Sequence, residues 1–189
     1  MDNIINIIKS RRSVRKYLDT PIPKEIIDKL IEAGKYAPSG MNEQPWGFIA
    51  VEDKGLIEEL SNRSIPYINK LIEENPKKLI RYKKRMAVKG FNIFYHAPCV
   101  IIVLGKKDAF SYEDGCAMAG QNIMLAAWPM NIGSCWIGMM KVLDNDEWFR
   151  KRFEVPDNYT IVASLALGYF DPKDVPIIER KPLEILKYF

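Results

Sequence analysis

The amino-acid sequence predicts one domain of the α/β or α+β class, in which helices pack on a β-sheet. The chain has 189 residues, and domains usually contain roughly 100–200. Hydrophobic residues form 48% and charged residues 28% of the chain, as is typical of globular proteins. Segments with the periodicity of helices alternate with short apolar runs typical of strands. Because this alternation favours layers of sheet and helix, we expect a single domain over residues 1–189.

Two helices are predicted before residue 45. Asp2 or Asn3 is a suitable N-cap for a short first helix, whose apolar face consists of isoleucines. These are Ile4, Ile5, Ile7 and Ile8. Pro23 suits the first turn of a second helix. The buried stripe of this helix is expected to contain Ile26, Leu30 and Ala33, and the helix is expected to end within residues 34–38.

The rest of the chain is predicted to alternate strands with helices. Apolar and β-branched runs indicate a buried strand at residues 46–51 and further strands at 98–104, 134–137 and 159–167. Of these, 98–104 is the best candidate for a central strand. Helices are expected over 54–75 with an interruption at Pro66, over the basic stretch 77–95, over 112–128, and from a cap at Asp144 or Asn145 to Arg152. The helix at 112–128 is rich in glycine and alanine, so we expect another backbone to approach it closely.

Scarce residues exclude several classes of chemistry. His96 is the sole histidine, so one chain cannot form a two-histidine zinc site, and a Ser-His-Asp or Cys-His system would have to use it. Cys99, Cys116 and Cys135 form no CxxC pair, and we interpret them as reduced thiols of a cytoplasmic protein. No apolar run reaches the ~20 residues of a membrane helix, and no signal-peptide pattern is found. The net charge of +4 permits an anionic ligand without demanding nucleic acid.

A cluster of arginines follows the first predicted helix. Arg11, Arg12 and Arg15 stand within five residues of one another, together with Ser13. Guanidinium groups offer forked donors that match phosphate oxygens, so the cluster is a candidate phosphate site. The alternative is that these charges complement the negative end of the preceding helix dipole and are otherwise solvated.

Three further motifs are ambiguous when taken singly. The loop at 37–46 contains two carboxamides that suit the mixed edge of a heterocycle, or it is a plain connection with local side-chain bonds. Two glycines, Gly133 and Gly138, bracket a short apolar strand; they permit a flat ligand to lie against backbone, or they mark bulges. The run at 179–182 adds positive charge to a phosphate site, or it is a surface tail.

Taken together and in this order, the motifs resemble the FMN-dependent nitroreductase family. The resemblance is carried by RRSVRKY at 11–17, APSGMNEQPW at 37–46, AGQNIMLAA at 119–127, GSCWIG at 133–138 and ERKPL at 179–183. It extends over the whole chain except residues 60–95, where it is weak. It implies an α+β fold with a mixed β-sheet flanked by helices, an interlocked homodimer, and FMN bound at the subunit interface.

The resemblance also implies a role for each matching residue. Arg11, Ser13 and Arg180 bind the FMN phosphate. Arg12 reaches ring or ribityl atoms, and Arg15 lies at the ribityl and pyrimidine side. The partner subunit contributes Pro38, Ser39, Gly40 and Asn42. Ile137 and Gly138 lie along the isoalloxazine ring, and Met139 touches it.

The implied activity is transfer of a hydride from NADH or NADPH, through flavin N5, to a small-molecule acceptor such as a nitroaromatic or a quinone, with ping-pong kinetics. The flavin carries this chemistry, so no catalytic side chain and no metal is required. Residues 60–95 become a variable lid, whose aromatic side chains stack on a ligand or simply pack. These are Tyr67, Tyr82, Phe91, Phe94 and Tyr95.

Three alternatives remain open at this point. The same fold supports reductive dehalogenation or flavin cleavage with other lid residues. A non-catalytic flavin sensor or storage module would bind FMN without consuming NAD(P)H. The basic run at 77–85 is a solvated helix face, or it attracts a phosphorylated nicotinamide or an acidic substrate. Nucleic-acid binding through residues 77–89 would weaken steeply with salt, and we expect neither nucleic-acid nor membrane partners.

Overall fold

A four-stranded sheet forms the centre of the protein, which was analysed as a computed structural model describing residues 3–176 and 178–189. The strands are β1 (Trp46–Val51), β2 (Cys99–Lys106), β3 (Ile132–Trp136) and β4 (Tyr159–Tyr169). Their order in the sheet is β1-β2-β4-β3, and each neighbouring pair is antiparallel. The α+β class is therefore confirmed. The parallel component of the expected mixed sheet is confined, among the described residues, to an isolated bridge between Ser13 and Ser134.

Six α-helices are found in the described part of the chain. They are α1 (Ile4–Ser10), α2 (Lys24–Lys35), α3 (Lys54–Glu74), α4 (Ile80–Met86), α5 (Tyr112–Ala127) and α6 (Glu147–Arg152). Asn3 caps α1 by accepting a hydrogen bond from the Ile5 amide at 3.0 Å, as one of the two predicted caps; Asp2 lies outside the described residues. The long helix α5 ends before Pro129, which lies in a 3₁₀ turn.

The sheet is buried on both faces. On one face of β2, Ile101 and Val103 belong to a hydrophobic cluster that includes residues of α2 and α5. On the other face, Val100, Ile102 and Leu104 belong to a second cluster that includes residues of α3 and α6. This double burial explains why β2 is continuously apolar, since neither face meets water. The predicted approach of another backbone to α5 is found at Gly115, where a Cβ would lie 3.6 Å from the Pro38 carbonyl oxygen.

Four local predictions are corrected by the structure. The stretch 77–95 is helical only over α4, because residues 87–98 turn through left-handed conformations, including Tyr95 at φ 57° and His96 at φ 55°. Pro66 does not interrupt α3, since it lies on the exposed face, where the carbonyl it leaves unpaired can meet water. Asp146 caps α6. Strand β1 is an edge strand and is mostly half-buried rather than buried.

Two apolar surfaces are left uncovered by the residues that the structure describes. The isoleucines of α1 are largely exposed, with Ile4 at 55% and Ile5 and Ile8 at 48%. Leu183, Leu186 and the other apolar side chains near the C-terminus are also exposed. Among the residues described, no helix combines the length and the apolar character that crossing a membrane requires.

Candidate functional site

The arginine-rich segment lies along the edge of the sheet. After α1 ends, the Val14 amide donates to the Ser134 carbonyl at 3.0 Å, which attaches the segment to β3. The contact is close because Gly133 has no side chain: a Cβ there would lie 2.5 Å from Val14 Cγ2. We call residues 11–15, together with Arg180, the arginine corner.

The arginine corner contains buried donors without acceptors. The Nε atoms of Arg11 and Arg12 are buried and have no hydrogen-bond partner among the described residues, and the same is true of Ser134 Oγ. Burial, and then the positive charge of Arg180, lower the pKa of Arg11. The charge of Arg180 therefore acts on Arg11. Buried polar groups normally have partners, so an anion with several oxygens suits this place.

Arg12 also supports the alternative interpretation of the cluster. Its Nη1 donates to the carbonyls of Lys9, Ser10 and Arg11, at 2.6, 3.0 and 2.9 Å. These carbonyls lie at the C-terminal end of α1, where a cation is favourable. Arg12 thus caps the helix with one nitrogen and leaves Nε without an acceptor.

The Gly-bracketed strand leads from the corner into a crevice. Ile137 is held on both sides of its peptide group: its amide donates to the Ser164 carbonyl at 2.8 Å, and its carbonyl accepts from Ser164 Oγ at 2.7 Å. Gly138 follows and is exposed, and a Cβ built there meets no atom within 4 Å. The crevice has a volume of about 80 Å³ and is lined by Arg15, Ile137, Gly138 and Met139, among others.

Three guanidinium groups act on one buried thiol in this crevice. Burial raises the pKa of Cys135, and the charges of Arg15, Arg85 and Arg11 oppose that rise. His96, the sole histidine of the chain, makes structural contacts. Its Nε2 lies 3.1 Å from the Gly90 carbonyl oxygen, and its Nδ1 lies 3.8 Å from Glu58 Oε2. The crevice is therefore a positively charged cleft against an uncharged thiol.

The predicted partner loop lies elsewhere on the molecule. Ser39 Oγ accepts from the Gln44 amide at 3.0 Å, and Gln44 Nε2 donates to Asn42 Oδ1 at 3.3 Å. Asn42 has φ 57°, a left-handed conformation that asparagine tolerates better than most residues. Gly40 packs against Phe110, since a Cβ there would lie 2.9 Å from the Phe110 carbonyl oxygen. We call residues 38–44 the carboxamide loop; Pro38 and Asn42 are exposed.

The corner and the loop do not meet within one chain. The loop leads into Trp46 of β1, which is connected through β2 to Thr160 of β4, whereas the corner meets Ser134 of β3, which pairs with Leu167 of β4. Thr160 and Leu167 are roughly 23 Å apart along the strand, and three strand spacings add about 14 Å across the sheet. One copy of the chain therefore brings the arginine motif at 11–15 together with residues 137–139. The predicted site residues of the carboxamide loop lie apart from both.

Two features of the site were not identified from the sequence. Arg85 lines the crevice and donates through Nη1 to the Tyr95 hydroxyl at 3.3 Å, although the sequence shows it only as one charge in a basic run. Ser134 presents its buried, unpartnered hydroxyl beside the corner, which could be inferred only after the register of β3 is known.

Comparisons with known proteins agree with this geometry. The model of the nitroreductase family matches residues 8–169. A crystal structure of a nitroreductase with bound FMN from Bacteroides fragilis is similar with a TM-score of 0.81 and 30% identity, over 100% of this chain and 98% of that one.

Two curated relatives point to different activities. A protein of Methanothermobacter thermautotrophicus, provisionally named NADH dehydrogenase/NAD(P)H nitroreductase, is 31% identical over 88% of this chain and 77% of its own length. Rat iodotyrosine deiodinase 1 is 36% identical over 94% of this chain and 66% of its own length.

Proposed function

This chain belongs to the nitroreductase family, and on that premise we propose that it binds FMN and uses NADH or NADPH to reduce nitroaromatic, quinone or similar acceptors. The observation that carries the proposal is the arginine corner, in which buried guanidinium nitrogens lack acceptors beside the edge of β3. The FMN in the Bacteroides fragilis relative and the name of the Methanothermobacter relative support the choice of cofactor and reductant.

The donor set of the corner fits the phosphate of FMN. Arg11, Ser13 and Arg180 are proposed to bind this group, and Arg12 to reach ribityl or ring atoms through the side of its guanidinium that does not cap α1. Charge-assisted hydrogen bonds of this kind are among the strongest that side chains form. A phosphate would also offset the burial and the Arg180 charge that lower the pKa of Arg11.

The residues of the crevice suit one wall of a site for the ring of the cofactor. When bound, FMN supplies the hydride chemistry, while Ile137, Gly138 and Met139 provide a flat wall beside it. Gly138 has the open space that such a ligand needs. Arg15 is placed by a contact of 3.3 Å from Nη1 to the Ser13 carbonyl, and its guanidinium lies 5.9 Å from the centre of the Tyr95 ring. A cation held in position stabilises negative charge at the pyrimidine end of the ring at little reorganisation cost.

The complete site is proposed to require two copies of the chain. Pro38, Ser39, Gly40 and Asn42 of one copy would complete the crevice of the other, because they lie too far from their own arginine corner. The exposed isoleucines of α1 and the apolar C-terminal residues supply surface for such a homodimer. We also propose that residues 1–189 form one FMN-binding domain with a lid at 60–95, and that the buried free cysteines reflect the reducing cytoplasm.

Purification and steady-state assays test this function. We expect a yellow dimer that holds one FMN per chain and consumes NADH or NADPH steadily once a nitroaromatic acceptor is added. A flavin-loaded protein that does not consume reductant would be a sensor or storage module. A colourless monomer that does not take up added FMN would contradict the proposal at its base.

A second candidate function is reductive dehalogenation, favoured by the 36% identity to rat iodotyrosine deiodinase 1. It uses the same cofactor site and differs only in the acceptor. Release of iodide from 3-iodotyrosine under reducing conditions, compared with the rate of nitroaromatic reduction, distinguishes the two reactions.

A further inference from the structure

Three adjoining cavities form one groove across the proposed flavin crevice. On one side, a cavity of about 530 Å³ shares Arg15, Arg85, Phe91 and Tyr95 with the crevice. On the other side, a cavity of about 460 Å³ shares Tyr82, Gly138 and Met139 with it. The groove therefore has two ends with the crevice between them.

The two ends differ in chemistry. The smaller end cavity is lined by Ile68, Leu71, Ile72, Leu79 and Val142, with Lys141 as its one charged residue among those described. The larger one is lined by the cations Arg15, Lys16 and Arg85. We call these the apolar end and the cationic end of the groove.

The positive charge at the cationic end is not neutralised locally. Lys16 forms an ion pair with Asp174 at 2.9 Å, but within the described residues neither Arg15 nor Arg85 has a carboxylate within ion-pair distance. The acid in the lining, Asp19, is paired with Lys54 at 2.8 Å. Two arginines thus face the cavity without a counter-ion.

Arg85 is singled out from the basic run by its position. Within residues 77–85, all of which the structure describes, it is the one charged residue that lines the groove. Its Nη1 donates to the Tyr95 hydroxyl, whose ring lies beneath the Arg15 guanidinium. Tyr95 therefore holds the two arginines on the same side of the crevice.

We propose that Arg85 and Arg15 form an anion-binding subsite at the cationic end of the groove, which selects ligands that carry a carboxylate or phosphate on an aromatic or apolar body. The inference rests on the proposed function and adds the ligand class. Arg15 is also assigned to the pyrimidine side of the cofactor. Arg85 is therefore the residue of the pair that determines specificity for the anionic ligand. The anion belongs either to an acidic acceptor or to the 2′-phosphate of NADPH.

Binding of inert probes to the flavin-loaded protein tests the subsite. The probes are benzoate against neutral benzamide, for the acceptor, and 2′,5′-ADP against 5′-AMP, for the reductant. Arg85→Gln is expected to weaken the binding of benzoate or of 2′,5′-ADP by about 10-fold or more, the size of one charged hydrogen bond. The affinity for the less charged counterpart, benzamide or 5′-AMP, should not change. Arg85→Lys should retain most of the affinity, because it keeps the charge.

Arg81→Gln is the matched control, since Arg81 lies one helical turn earlier, is exposed and lines none of the three cavities. The subsite is refuted if Arg85→Gln and Arg81→Gln bind all four probes alike, if charged and less charged probes weaken equally, or if Lys141→Gln alone reproduces the loss. A wild type that holds no flavin or fails to oxidise NAD(P)H would instead refute the proposed function.

Discussion

The arginine corner and the carboxamide loop are incomplete in different ways. The corner is attached to β3 by its own backbone, yet it keeps buried nitrogens without acceptors. The loop satisfies its polar groups locally, through Ser39, Asn42 and Gln44, yet it is largely exposed and remote from the corner. The corner therefore has donors available to an anion, whereas the loop has exposed polar surface available to a partner. A dimer that binds an anionic cofactor supplies both.

The largest effect is expected from reversing a charge in the corner. Arg11→Glu should release FMN, because it removes a charged hydrogen bond and places a carboxylate beside the phosphate; together these cost about 4 kcal/mol, or roughly a thousandfold in Kd. The measurement is flavin absorbance per chain after gel filtration. Lys9→Glu makes the same charge change on the exposed side of α1 and should keep its flavin. Equal flavin content in both variants would remove Arg11 from the site.

A smaller pair of effects separates the two glycines beside the corner. Gly133→Ala should lower the free energy of unfolding by about 1–3 kcal/mol through overpacking, since the new methyl group would meet Val14 and Phe170. Gly138→Ala should leave stability unchanged, because its Cβ enters open space, but should weaken flavin binding. Urea unfolding of the apo forms and FMN titration measure the two quantities. Equal stability losses would show that Gly138 is also packed.

The smallest effect compares a thiol of the crevice, Cys135, with a thiol on α5, Cys116. Burial raises the pKa of Cys116 to about 12, whereas three arginines oppose the rise at Cys135. Only the thiolate is alkylated, so Cys135 should react with iodoacetamide faster than Cys116. Both rates should increase with pH between 7 and 9, because the thiolate fraction grows toward each pKa. Mass spectrometry of the modified peptides should show protection of Cys135, and not of Cys116, by added FMN.

The fold was predictable wherever local pattern decides structure. The run at 98–104 became the doubly buried strand β2. In α2, Leu30 is buried as expected, but Ile26 and Ala33 are only half-buried, and Ile27 and Gly34 are buried instead. The prediction of a helix over 77–95 was wrong, because the charged residues that favour a helix there do not reveal the left-handed conformations of Gly90, Tyr95 and His96. The predicted cap of α6 at Asp144 or Asn145 was wrong. Asp144 instead accepts hydrogen bonds from the Thr160 hydroxyl and the Ile161 amide, and no local sequence pattern reveals such a tertiary contact.

The candidate site was predictable only in its parts. The motif at 11–15, with Arg180, indicated a phosphate site, and the structure adds that Ser134 of β3 is a neighbour of the motif. No sequence pattern shows that Arg85 turns toward Tyr95 while the other charges of its run do not, since that depends on how α4 packs. The separation of corner and loop likewise depends on strand order, which follows from long-range pairing.

Mixed dimers test the central claim, that each site is shared between two chains. Arg11→Glu disables the corner, and Ser39→Asp combined with Asn42→Asp places two carboxylates in the loop while keeping oxygen acceptors there. Each homodimer should hold little FMN. In a co-expressed, doubly tagged heterodimer, one site would receive both defects and the other none, so we predict one FMN per two chains. A heterodimer as free of flavin as either homodimer would show that corner and loop of the same chain form the site.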